Sequence, residues 1–243
     1  MLESYFIIAY FLMIIAFQSI IGVGVLVLGT PFLLILKFDI VEIFFILLPI
    51  SIVTSLSNLI IINYSNKSLR KSTYKEFKKF FMICIPSIFV GLILLKIFEN
   101  FINFKFLVSF VIVLSVLLVF LKDKIKYRIN FFRISILSIV GLIHGLTNSG
   151  GTLMSLALTA NNDNEYARLN TTFFYLVLAV FQYLLTIIIF FEKFTFLDDM
   201  KIFFVLLIGI LIGNLVYYYL KSKMYKIIVN LLAIISAIIL LIS

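Results

Sequence analysis

Two short stretches of glycine and small polar residues interrupt long apolar runs, and they contain residue types that bind anions. The first extends from Gln18 to Pro31 and the second from His144 to Thr152. Backbone N–H groups at the start of a half-helix are unpaired and carry the positive end of the helix dipole, and glycine lets an anion approach them closely. Because lipid offers no partner to freed backbone groups, paired interruptions of this kind indicate a transporter's binding site. The candidate substrate-binding residues are Gln18, Ser19, Gly22, Gly24, Thr30, Pro31, His144, Thr147, Asn148, Ser149, Gly150, Gly151 and Thr152.

Several of these residues have a second interpretation. Close helix packing is the alternative for single glycines, among them Gly91, Gly209 and Gly213, because small residues let membrane helices touch. His144 is either a substrate- or proton-binding residue at membrane depth, or a neutral histidine hydrogen-bonded within the bundle. Glu42 and Arg168 occupy matching places in the two halves, where we expect interfacial anchors, with pairing to each other as the alternative. Further candidates to line a cavity are Asn58, Gln182 and Tyr183.

The composition is that of a membrane protein. Of 243 residues, 64% are hydrophobic and 13% are charged, and the mean hydropathy is +1.24. The net charge of +9 lies in short patches between apolar runs, which favours a role in topology over a nucleic-acid partner. The single cysteine and single histidine indicate neither a disulfide framework nor a metal site, and no cofactor is indicated.

The elements that must position the two stretches are membrane-spanning helices. A span needs about 20 apolar residues, and about eight such runs are present. The first and fifth are too long for one perpendicular helix, so we expect broken or re-entrant segments there. The prediction is an all-α polytopic membrane protein with runs at roughly 5–36, 39–63, 78–98, 101–121, 132–159, 167–191, 201–220 and 224–242.

The two halves of the chain repeat. A shift of 126 residues places Gln18 on His144 and Gly24 on Gly150. We therefore predict a first four-span repeat at 1–121, a basic cytoplasmic linker at 122–133 and a second four-span repeat at 134–243. With four spans each, the halves would have the same orientation, related by an axis along the membrane normal.

Basic residues predict the orientation. In an eight-span arrangement, the basic segments 67–79 and 122–133 fall on the same side of the membrane. We therefore predict a protein of the prokaryotic plasma (inner) membrane with both termini on the cytoplasmic side. The basic segment 221–226 would then lie outside, and a re-entrant fifth segment would flip the last spans. The N-terminal run has no basic n-region or cleavage signal, so we interpret it as the first span.

The chain resembles the sulfite exporter TauE/SafE family, also called the toluene-sulfonate uptake permease family. Its members are bacterial and archaeal inner-membrane proteins, typically with eight spans from a duplicated four-span unit. Each half carries a motif of the form G-x-G-G-G-x-x-x-x-P near its first span. The first copy here keeps Gly22, Gly24 and Pro31, with Val25 and Leu26 replacing further glycines. The second keeps Gly150 and Gly151, with Asn148 leading and Ala157 in place of proline. The resemblance implies sulfite, an organosulfonate or another small sulfur-containing anion as substrate.

These features favour a secondary transporter, surrounded by the lipid bilayer, that binds a small anion between the two breaks. A proton is the candidate coupling ion. No nucleotide-binding loop is recognisable, which argues against direct ATP use. The alternatives are an anion channel and a non-catalytic membrane partner. An intramembrane enzyme would need Ser149 and His144, which lie on one segment without a second histidine, so no catalytic residue is predicted and we expect no enzyme.

Overall fold

The computed structural model describes residues 5–65, 70–121, 132–159, 164–194, 200–219 and 222–242, which are almost entirely helical. The predicted all-α, polytopic class is confirmed. Four helices have the length and composition to cross a membrane, over Ile40–Ile62, Phe77–Phe98, Arg168–Ile189 and Met200–Tyr219. The helices are α1 (Tyr5–Ile21), α2 (Val25–Ile35), α3 (Ile40–Ser65), α4 (Arg70–Phe98), α5 (Phe104–Phe120), α6 (Arg133–Thr147), α7 (Gly151–Thr159), α8 (Asn164–Ile189), a 3-10 turn (Phe191–Lys193), α9 (Met200–Tyr219) and α10 (Ser222–Ile242).

The first long apolar run is a re-entrant helical hairpin. The Tyr10 hydroxyl donates a hydrogen bond to the Leu28 carbonyl (2.8 Å), and the rings of Tyr10 and Phe32 stack with centroids 3.7 Å apart. In one continuous helix, residues 10 and 28 would be about 27 Å apart. The chain reverses at Gly22, whose φ of 93° lies in the region that favours glycine. Helix α2 therefore returns alongside α1.

The fifth run forms an equivalent hairpin from α6 and α7. The chain turns at Asn148, whose φ of 62° is left-handed, a conformation that asparagine tolerates. A Cβ built on Gly150 would lie 2.9 Å from the His144 Cβ, and one built on Gly24 would lie 3.3 Å from the Gln18 Cα. The two contacts are related by the same shift of 126 residues that aligns the sequence. Of the two expected forms, broken or re-entrant, the structure has the re-entrant one in both places.

The helices run between two ends of the molecule. We call one the Lys193 end, where Lys193 contacts Asp39 and Glu99 (3.2 and 3.1 Å). We call the other the Arg168 end, where Ile62 clusters with Leu169 next to Arg168. Helices α3 and α8 join both ends and are antiparallel.

The two hairpins enter from opposite ends. Ala16 and Ser19 on α1 pack on Gly213 of α9, which runs towards the Arg168 end. Leu142 and Gly145 on α6 pack on Gly91 of α4, which runs towards the Lys193 end. Leu12 and Ile15 pack on Gly209 before Ala16 and Ser19 pack on Gly213, so α1 runs parallel to α9, and Gly141 and Gly145 meet Cys84 and Ile88 in the same order, so α6 runs parallel to α4. Helices α1 and α6 are therefore antiparallel, and their tips approach from opposite directions.

The opposed hairpins correct the predicted symmetry. A hairpin adds no crossing, so within the described residues the helices that run between the ends are three in each half: α3, α4 and α5, then α8, α9 and α10. An odd number inverts the second half, and the prediction of parallel halves is wrong for this reason. The most extensive contacts join α4 to α6 and α1 to α9, so each hairpin packs mainly on a helix of the other half. The division at residues 121 and 134 stays a prediction.

The surface of the helices is apolar, and the interior holds an apolar core with a group of buried polar side chains. On α9, Phe203, Phe204 and Leu211 are exposed, as suits a surface that faces lipid. The fully buried polar residues include Gln18, Asn58, His144, Asn148 and Gln182. Most of the buried polar groups lie on or beside the two hairpins.

Candidate functional site

At the first hairpin, Gln18 caps the start of α2. The Val25 N–H donates to the Gln18 Oε1 (3.0 Å), which satisfies one unpaired donor of the helix start. The Gln18 Nε2 donates to the Ser51 carbonyl and to the Ser55 Oγ on α3, both at 3.0 Å. A protein side chain therefore already occupies part of this helix start.

At the second hairpin, His144 stands in the place of Gln18 and makes no such cap. Both ring nitrogens of His144 are buried without a hydrogen-bond partner, as are both amide atoms of Asn148 and the Oγ1 of Thr152. The Gln182 Nε2 donates to the His144 carbonyl (3.1 Å), which leaves the Gln182 Oε1 without a partner. Burying a polar group without a hydrogen bond costs free energy, and a bound ligand would remove that cost. The cluster of unpartnered polar atoms at this hairpin therefore marks a candidate ligand site.

Tyr175 on α8 brings the two hairpins together. Its ring fills the space beside Gly151 at the start of α7. Its hydroxyl lies near the backbone of Gly24, Leu26 and Val27 at the start of α2 but makes no hydrogen bond. The starts of α2 and α7 therefore meet around one tyrosine, which sequence reasoning did not identify.

The remaining predicted residues divide into three groups. The Thr147 Oγ1 bonds the Ile143 carbonyl (2.8 Å) and the Ser149 Oγ bonds the Thr147 carbonyl (3.1 Å), so these two hydroxyls stabilise the turn. Thr30 and Pro31 lie inside α2, about 8 Å or more from its first residue, and are therefore separated from the tip. At the tip itself, Ser19, Gly22, Gly24, Gly150 and Gly151 are all buried.

The glycines outside the tips pack helices together. A Cβ on Gly209 would lie 2.8 Å from the Ile15 Cγ2, and one on Gly213 would lie 2.5 Å from the Ala16 carbonyl oxygen. Gly91 and Gly145 face each other across α4 and α6. The packing interpretation holds for Gly91, Gly209 and Gly213.

Arg168 is not the interfacial anchor that we expected. It is 7% exposed, donates to the Ser19 carbonyl and to the Asn214 Oδ1 (2.8 Å), and lies 3.9 Å over the Tyr217 ring. Pairing with Glu42 is also wrong, because Glu42 is exposed near the Lys193 end. Of the residues expected to line a cavity, Asn58 accepts from the Asn214 Nδ2 (2.8 Å).

Three further polar residues at the site were not identified from sequence. Ser51 and Ser55 bind Gln18, and the Oγ1 of Thr172 lies against Gly22. Each is a small polar residue in an apolar run, but such residues are common in membrane helices, so type alone did not separate them. Tyr183, in contrast, packs against Phe45 with ring centroids 6.3 Å apart.

Comparison with known proteins gives one match. The family model described as "Sulfite exporter TauE/SafE" matches residues 6–240, nearly the whole chain. No curated protein and no solved structure matches. Within the described ranges, no group of three or more histidine, cysteine, aspartate or glutamate residues is placed to hold a metal ion.

Proposed function

The chain belongs to the sulfite exporter TauE/SafE family, a family of membrane transporters, and we propose that it is a secondary transporter of a small anion of the sulfite or organosulfonate class. The observation that carries the proposal is the cluster of buried, unpartnered polar atoms on His144, Asn148 and Thr152 at the start of α7. The family match supports transport, and the cluster supports the place of binding.

Each residue of the cluster has a defined role in the proposal. The Asn148 amide and the Thr152 hydroxyl donate to anion oxygens, together with the N–H groups at the start of α7. The Tyr175 hydroxyl extends the site towards α2. Because Gln18 already caps α2, we propose that the second hairpin supplies most of the contacts.

His144 is the candidate group for proton coupling. Its ring has two free nitrogens, so a protonated form would donate two hydrogen bonds, one of them to an anion. A proton and an anion would then bind together and partly neutralise each other in a site surrounded by apolar residues.

The opposed hairpins suggest how access alternates. The two hairpins enter from opposite ends, and the starts of α2 and α7 meet around Tyr175. Movement of one hairpin relative to the other would therefore open this region to one side of the membrane at a time. Small movements suffice, because both helix starts already meet at Tyr175.

We propose an orientation that differs from the sequence-based one. With two re-entrant hairpins, α3, α5 and α9 end at the Arg168 end, and α4, α6 and α10 begin there. The basic segments 67–79, 122–133 and 221–226 all belong to these junctions, so none contradicts the others. The positive-inside rule then places the Arg168 end in the cytoplasm and both termini on the other side of a prokaryotic plasma membrane.

The test is flux into proteoliposomes. Wild type should take up labelled sulfite with saturation, and Asn148→Gly, which keeps the left-handed turn but removes the amide, should raise KM about tenfold or more. Asn103→Gly is the control, since Asn103 lies at the start of α5 and its side-chain oxygen accepts from the local Phe106 N–H (3.1 Å). Non-saturating flux would favour a channel, and absence of flux from folded wild type for sulfite and simple sulfonates would contradict the proposal.

A further inference from the structure

Arg168 places a buried positive charge beneath the tip of the first hairpin. It lies on α8 one turn before Thr172, and Gly22 contacts both residues. Its guanidinium donates to the Ser19 carbonyl at the end of α1 and to the Asn214 Oδ1, and the Nε has no partner.

The partners that the described residues offer to this charge are neutral. Within the described residues, the guanidinium contacts a carbonyl, an amide oxygen and the ring face of Tyr217, and no carboxylate pairs with it. A buried charge without an opposite charge is costly, and an ionisable residue at membrane depth is by default a candidate functional residue.

The equivalent place in the other half carries no cation. The repeat places Glu42 at the position equivalent to Arg168, and Glu42 is exposed. The second hairpin therefore has no cation at the position equivalent to Arg168, although both tips turn through a positive φ, at Gly22 and at Asn148.

The surroundings of Arg168 offer further donors. The Ser19 Oγ, the Thr172 Oγ1 and the Asn58 Nδ2 are buried without partners, on residues that contact Arg168, Gly22 or Asn214. Donors around a cation are the chemistry that binds an oxyanion, and the planar guanidinium matches two oxygens at once.

The arginine also lies close to the Arg168 end. Tyr217, which covers the guanidinium at 3.9 Å, is half-buried, and the next two residues of α9, Tyr218 and Tyr219, are exposed. A shift of one tyrosine ring would therefore connect the guanidinium to the side where the basic segments lie.

From this arrangement we propose that Arg168 is an anion-binding residue, the first buried contact for a sulfite- or sulfonate-type oxyanion that enters from the Arg168 end before it reaches the His144 cluster. The proposal rests on the proposed function for the class of anion. It adds a second binding position at the tip of the opposite hairpin, with Tyr217 as the group that covers it.

The experiment compares Arg168→Gln with wild type and with Lys193→Gln, a control that neutralises a cation at the other end. Flux is measured in proteoliposomes, and the thermal midpoint is measured in detergent with and without sulfite or methanesulfonate. Wild type and the control should gain about 5 °C at ~100 times Kd. Arg168→Gln should show a clearly smaller gain, because only the His144 cluster then binds the anion, and KM raised about tenfold to a hundredfold, without a lower midpoint in the absence of anion.

A purely structural role gives the opposite pattern. If Arg168 only caps the end of α1, Arg168→Gln lowers the midpoint without anion but keeps both the anion-dependent gain and KM, and the inference is overturned. If Arg168→Gln does not fold, Arg168→Lys keeps the charge and should raise KM about threefold to tenfold, since the two-oxygen geometry is lost. An unchanged KM in Arg168→Lys would then overturn the inference.

The two proposals fail separately. If wild type carries saturable flux that is indifferent to Arg168, the transporter stands and the arginine site does not. If wild type carries no flux but gains Arg168-dependent thermal stability from the anions, the arginine site stands and the transport proposal fails. If neither flux nor stabilisation occurs, both are overturned.

Discussion

The ring of Tyr175 occupies the space in which a side chain on Gly151 would stand. A Cβ at Gly151 would overlap the Tyr175 Cε2 and lie 3.2 Å from its Cδ2. Tyr175 is fully buried, so the ring cannot swing away. The glycine is thus explained by a contact with one aromatic ring at the junction of the two hairpins.

Gly151→Ala should therefore destabilise the protein by about 1–3 kcal/mol, because overpacking forces the ring or α7 to shift. Adding Tyr175→Leu should restore part of the loss, since the smaller side chain frees the space. Thermal unfolding of the two single variants and the double variant measures the coupling. Additive losses would show that the two residues do not interact.

Thr152 and Thr186 allow a matched comparison of two buried hydroxyls. The Thr152 Oγ1 has no partner, whereas the Thr186 Oγ1 bonds the Gln182 carbonyl of its own helix (2.7 Å). Thr152→Val should raise KM for the transported anion about tenfold with little change in stability, and Thr186→Val should leave KM unchanged. Equal effects of the two substitutions on KM would remove Thr152 from the site.

His144→Gln should make the second hairpin resemble the first. A glutamine there can cap the start of α7 as Gln18 caps α2, where the bond from the Val25 N–H is 3.0 Å. We expect a folded protein with equal or higher thermal stability and with flux reduced at least tenfold, because the cap competes with the anion. Wild-type flux in this variant would show that the histidine ring is not needed.

Lys193 joins three segments at the surface, and its contribution should be small. Partial burial lowers the pKa of Lys193, but the hydrogen bonds to Glu99 and Asp39 raise it more, so the net pKa lies above its ordinary value of 10.5. A group whose pKa is raised in the folded protein contributes stability that is fully present below its ordinary pKa. This contribution is lost as the pH rises through the pKa of the folded state. Lys193→Gln should thus cost about 1 kcal/mol or less at neutral pH, and the difference in thermal midpoint should shrink above pH ~10.5. A difference in thermal midpoint that grows at high pH would show that the charged form of Lys193 does not stabilise the protein.

Labelling of single-cysteine variants in a Cys84→Ser background would show which end of the protein faces the cytoplasm. Cys84 is the only cysteine and its Sγ bonds the Leu137 carbonyl (3.0 Å), which a serine hydroxyl can replace. A membrane-impermeant maleimide on intact cells should label Glu192→Cys, because its position is exposed at the Lys193 end. Leu121→Cys, exposed near the Arg168 end, should react only after permeabilisation. In the eight-span arrangement, both would be cytoplasmic and neither would react in intact cells.

The sequence predicted the places of the two hairpins because glycine, asparagine and proline inside apolar runs have few explanations in lipid. It did not choose between a broken span and a hairpin, since both need the same residues at the turn. One piece of evidence for the hairpins was present: the basic segment 221–226 contradicted eight crossings, and two re-entrant segments remove the contradiction.

The candidate site could be proposed from the sequence only where its residues are close along the chain. His144, Asn148 and Thr152 lie within one hairpin and were identified as a cluster. Tyr175 was not, because its role depends on the packing of α8 against both hairpins, and a tyrosine in an apolar run has no local mark of function. Arg168 was assigned to the interface because it lies near the start of its helix, whereas the tip of the first hairpin covers it.

The packing of α1 on α9 also determines when the protein can be assembled. Helix α9 begins only at Met200, so the ribosome has made most of the chain before the first hairpin meets its main partner. Until then, Gln18 is held by Ser51 and Ser55 of α3 and the Ser19 carbonyl by Arg168 of α8, while the face of α1 that packs on α9 lacks this partner unless an insertion factor covers it. A nascent chain stopped before Met200 should therefore be degraded rapidly, and supplying α9 and α10 as a separate polypeptide in the same cell should protect it.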